Sequence, residues 1–99
     1  MASPKSKPPH GRVVLNHSTH VPGVIAILHK LAAHPHIKTL TPGVISRGRS
    51  NAPKLRLKAS VPILGGFKLI ARKGKSVQEV FVITDLSAEQ LAAAIEAVM

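Results

Sequence analysis

Alternation of apolar and polar residues is clearest in the second half of the chain. Leu55, Leu57, Ala59 and Val61 take turns with Lys54, Arg56, Lys58 and Ser60. That is the two-residue period of a half-buried β-strand, one face toward a core and one toward water. Pro62 to Gly66 reads as a turn. The pattern then resumes, with Phe67, Leu69 and Ala71 on one side and Lys68 and Arg72 on the other. Lys73-Gly74-Lys75-Ser76 reads as a further hairpin turn. Val80-Phe81-Val82-Ile83 is continuously apolar, which predicts a central strand covered on both faces for part of its length.

The first half carries weaker signals. Val13-Val14-Leu15 is a short β run. Val24, Ile25, Leu28, Leu31 and Ala32 recur at helical spacing and predict a helix from about Pro22 to Ala33. Pro35 ends that region. Ile37 to Ile45 is β-like but broken by Pro42-Gly43, where a turn or bulge belongs. The last helix opens at Asp85-Leu86-Ser87. Ser87 and Gln90 have the spacing of a capping box, Leu86 and Leu91 that of a hydrophobic staple. Ala88, Leu91, Ile95 and Val98 form its apolar stripe. The order β-α-β-β-β-β-α predicts an α+β two-layer sandwich: a mainly antiparallel sheet of four to five strands with two helices on one face.

Composition adds a size and a sign. The chain has 99 residues, enough for one domain, expected over 12–99 behind a disordered basic tail over 1–11. Its net charge is +10, and all 14 Lys and Arg lie at or before Lys75. The four acids, Glu79, Asp85, Glu89 and Glu96, all follow. This asymmetry points to an acidic partner. There is no cysteine, hence no disulfide frame and no thiolate metal site, which suits a cytoplasmic location. No apolar run approaches the ~18 residues of a membrane span.

Charge changes the reading of the strand pair. If the two alternating strands pair, Lys54, Arg56, Lys58, Lys68 and Arg72 share one sheet face. Like charges opposite one another destabilise a sheet, so a polyanion is expected there. Arg47 and Arg49, in the polar stretch from Ser46 to Ala52, and Lys73 and Lys75 would extend the contact from loops. The first helix has Val21 and Pro22 at its expected start and no good side-chain cap. Open N–H groups there suit an anion, with Ser18, Thr19, His20 and Gly23 around it. Two Phe and no Trp or Tyr argue against base stacking and favour backbone and shape recognition.

The six histidines lie between His10 and His36. His17 and His20 are spaced so that a turn brings them together. His29, His34 and His36 would form a separate cluster beyond the helix. Zinc sites use three or four ligands, often with Cys or carboxylate, and no acid precedes Glu79. No nucleophile elbow, Walker loop or paired carboxylates support an enzyme; a non-enzymatic protein without a cofactor is expected.

Asn16-His17-Ser18-Thr19-His20-Val21-Pro22-Gly23, Thr41-Pro42-Gly43-Val44-Ile45-Ser46-Arg47 and Gly65-Gly66-Phe67-Lys68-Leu69-Ile70-Ala71-Arg72-Lys73-Gly74 together resemble a small prokaryotic family of unknown function, catalogued as predicted metal-binding proteins. The resemblance runs from about Arg12 to the C-terminus. It implies a divalent metal, zinc first, with His17 and His20 as the matching residues. From the residues themselves the first expectation is binding of RNA or a ribonucleoprotein. Metal binding is the alternative, and docking on an acidic protein is a third.

Overall fold

The computed structural model describes residues 11–99. The tail expected over 1–11 lies outside them except for Gly11, whose N–H donates to the Ala32 carbonyl at 2.7 Å. The described chain runs β1 (Arg12–Val13), α1 (Val24–Ala32), β2 (Ile37–Ile63), β3 (Gly66–Thr84), α2 (Ala88–Val98). β1 pairs parallel with β2, and β2 antiparallel with β3. The sheet is mixed and mostly antiparallel, within an α+β fold as expected.

The four β segments expected after α1 are all present, joined in pairs into two long strands. β3 does not run straight. Its 19 residues would span about 60 Å if extended. Yet the Thr84 N–H donates to the Gly65 carbonyl at 2.9 Å, and Lys68 Nζ lies 3.2 Å from Glu79 Oε2. β3 therefore doubles back on itself, and the midpoint between Gly65 and Thr84 falls at Gly74 and Lys75. Gly74 has φ 59°, which a two-residue hairpin turn requires at its first central position and which glycine adopts freely. The turn expected at Lys73–Ser76 is thus in place.

β2 wraps around this doubled strand. Its first arm pairs with the second arm of β3, from Ile37↔Thr84 to Arg47↔Ser76. Its second arm pairs with the first arm of β3, from Arg56↔Arg72 to Ile63↔Gly66. Between them the chain passes around the turn, touching it at Ala52↔Gly74, with register shifts on both sides. The stretch from Ser46 to Ala52, expected as a loop, is instead part of strand β2: Ser46 and Arg47 are the last rungs of the first arm, and the arch begins after them. A further shift lies between Pro42 and Ile45, the bulge that Pro42-Gly43 predicted. At the other end the fold closes tightly. A Cβ on Gly66 would stand 1.8 Å from the Val82 carbonyl oxygen, so no side chain fits there.

Both helices cover one sheet face. Val24, Leu28 and Leu31 of α1, and Leu91 and Ile95 of α2, share one cluster with Leu40, Leu57, Leu69, Ala71, Val80 and Val82. The strand members are in phase: Leu40 faces Val82, and Leu57 faces Ala71. α2 begins with the expected capping box. Ser87 Oγ accepts from the Gln90 N–H at 3.2 Å, and the Ser87 N–H donates to Gln90 Oε1 at 3.0 Å. Leu86 packs, partly buried, against the same core cluster that holds Leu91. Ala88 of the expected stripe is exposed.

Two local expectations are corrected. α1 begins after Gly23, which is its N-cap with φ 87° and no side-chain cap, so Pro22 lies outside the helix. Val80 and Val82 are fully buried, but Ile83 is 36% exposed and Phe81 is half-buried. The central strand is covered on one face only, because both helices lie on that face. Phe81 accordingly sits on the helix-free side, whereas Phe67 packs on the core.

Candidate nucleic-acid interface

The second arm of β2 and the first arm of β3 alternate as the sequence implies. Leu57 and Ala59 point to the helices; the cations between them point away. Arg56 stands directly opposite Arg72. Lys54, Arg56, Lys58 and Arg72 all line one groove of about 650 Å³ on the helix-free side, beside the arch. Ile70, the cross-strand partner of Lys58, lines the same groove with Ala52 and Pro53. Sequence alternation gave no reason to single out Ile70; its place opposite Lys58 is visible only once the register is known.

Lys68 has a different role from the other four. It forms an ion pair with Glu79 at 3.2 Å, both side chains being partly exposed, and it does not line the groove. The first acid in the chain thus returns to neutralise one of its cations. Arg47, at the end of the first arm, and Arg49, on the arch, lie exposed, and Lys75 is exposed at the turn the arch passes around, next to half-buried Lys73. They extend positive charge from the groove around the end of the sheet.

The segment before α1 is held from below by Gln78. This side chain is completely buried. Its Oε1 accepts from the Val21 N–H at 3.1 Å, and its Nε2 donates to the Gly43 carbonyl at 2.7 Å and the Thr19 carbonyl at 3.5 Å. One amide thereby ties the histidine loop, the β2 bulge and β3 together. Sequence reasoning missed it, although Gln78 is in phase with the buried Val80 and Val82. Above this anchor His17, Ser18 and Thr19 are exposed and His20 is half-buried. His20 Nδ1 is buried without a hydrogen-bond partner.

The other histidines lie elsewhere. His29 is exposed on α1. His34 and His36 have ring centroids 5.8 Å apart. His36 Nδ1 lies 3.3 Å from Asp85 Oδ1, and His34 Nδ1 accepts the His36 backbone N–H at 3.1 Å. Among the described residues, no three His, Asp or Glu side chains converge on a point that would hold an ion. His17 and His20 alone fall short of the three or four ligands a zinc site uses. A resident metal does not fit the described side chains.

No helix among the described residues is long and apolar enough to cross a membrane. Neither the curated proteins nor the solved structures contain a match to this chain. One family model matches residues 8–99, and its description is predicted metal-binding protein. Since the match spans nearly all of the sequence, the chain belongs to this family of predicted metal-binding proteins, a domain of unknown function (DUF2103).

Proposed function

We propose that this chain is a non-enzymatic protein that binds a polyanion, RNA or a ribonucleoprotein, through the groove beside the arch. The observation that carries the reading is the register: Arg56 and Arg72 face each other across two paired strands, with Lys54 and Lys58 in the same groove. A phosphate between them would accept charge-assisted hydrogen bonds from both guanidinium groups. Arg47, Arg49, Lys73 and Lys75 reach further phosphates around the turn. The start of α1, near Ser18, Thr19, His20 and Gly23, has no side-chain cap and would add an anion contact, although its Val24 N–H is already taken by the Val21 carbonyl at 3.0 Å.

The test is RNA affinity measured by fluorescence anisotropy across salt concentration. Neutralising about six phosphates gives a log–log slope near −4 to −5. Replacing Arg56 and Lys58, both exposed, by Glu lowers the affinity by about tenfold or more and flattens the slope by roughly two. A flat salt dependence, or a double variant that binds as tightly as the parent, refutes the reading.

A second reading draws on the family description and on the unpartnered Nδ1 of His20. Here His17 and His20 supply two ligands and another chain supplies the rest. Elemental analysis of untagged protein purified with its native partners separates the readings: stoichiometric metal, lost on His17→Ala, supports this one.

A further inference from the structure

The cation-lined groove is not walled by cations alone, and that bears on which nucleic acid it takes. Ile70 stands on the sheet face directly opposite Lys58, one alternate position from Arg72. Pro53 and the nearly buried Ala52 close the arch side. Charged side chains thus surround an apolar patch within a concavity of about 650 Å³, a size typical of sites for small molecules. A duplex offers this wall mainly phosphates and sugars, since the faces of its bases are stacked inside. Setting phosphates against Ile70 would strip their water for no return. A single strand has unstacked bases whose faces can cover an aliphatic surface while its phosphates reach the surrounding cations.

Resting on the polyanion reading above, we infer that the groove selects single-stranded nucleic acid: one or two nucleotides enter, with a base against Ile70 and flanking phosphates on Arg56, Arg72, Lys54 and Lys58. With an aliphatic wall in place of aromatic rings, selection among the four bases is weak and selection for an unpaired strand is strong.

The experiment compares three probes at one fixed salt concentration: a single-stranded dodecamer RNA, the same sequence annealed to its complement, and inorganic polyphosphate. The expected result is single-strand binding at least about tenfold tighter than duplex binding. Ile70→Thr keeps the β-branch but replaces the ethyl arm by a hydroxyl, which makes the wall smaller and polar. It is expected to weaken single-strand binding about fivefold and to leave polyphosphate binding within about twofold. Because Ile70 is half-buried, the melting temperature of the variant is recorded, and Ile70→Val serves as the milder replacement if folding is lost. Equal affinity for single strand and duplex, or an Ile70 variant that weakens all three probes alike, overturns the inference while the polyanion reading stands. Failure to bind any probe overturns both.

Discussion

Two side chains show how individual residues divide their duties between stability and binding. Gln78 is fully buried and joins three backbone groups. Gln78→Leu keeps the volume but leaves the Val21 N–H and the Gly43 carbonyl without their partner. Each stranded group costs about 1–3 kcal/mol, so a loss of about 2–4 kcal/mol is expected, read as a lower urea midpoint with an unchanged slope. Arg56 is the opposite case. It is exposed and faces Arg72. Replacing it by Thr, a good strand residue, removes the repulsion. Arg56→Thr is expected to raise stability by about 0.2–1 kcal/mol while RNA affinity falls. A variant that loses stability and affinity together would mark Arg56 as structural. The contrast was half visible in the sequence. The alternation around Arg56 assigned its face directly. Gln78 looked like one more polar position, and only its phase with Val80 and Val82 hinted at burial, because a buried amide is recognised by the backbone groups it meets and these come from distant segments.

At the level of elements, local signals were reliable wherever the interaction itself is local. The capping box of α2 needs only Ser87 and Gln90, three residues apart, and forms as written. Ser87→Ala should destabilise the protein by about 1 kcal/mol, visible as a lower melting temperature, with RNA binding unchanged because α2 lies on the opposite face from the groove. The hairpin turn at Gly74 was legible for the same reason. The start of α1 was not: proline at the first helical position is a fair local preference, but here Gly23 turns the chain in the left-handed region and the helix begins at Val24. The His36–Asp85 contact was also hidden, since it joins the end of the α1 connection to the entry of α2, nearly fifty residues on.

On the scale of the molecule, the separation of charge along the sequence becomes a separation in space. Lys54, Arg56, Lys58 and Arg72 gather in one groove of the sheet, while Glu89 and Glu96 lie exposed on α2. Long-range electrostatic attraction would therefore orient an approaching polyanion toward the sheet before contact. Composition revealed the sign of this field and alternation the cations that gather; that Glu79 neutralises Lys68 depended on the folded register. The embrace of β3 by β2 also dictates how the chain can assemble. Its rungs are nested: Ile63↔Gly66 joins near neighbours, whereas Ile37↔Thr84 spans almost half the sequence. Short closures are entropically cheapest, so the inner hairpin is the natural nucleus and the outer arm of β2 zips on late. Pulse-labelled amide exchange during refolding should find the amides of Leu57 to Ala71 protected ahead of that of Leu40, in the outer arm of β2. The groove's own walls would then be the first part of the sheet to take shape.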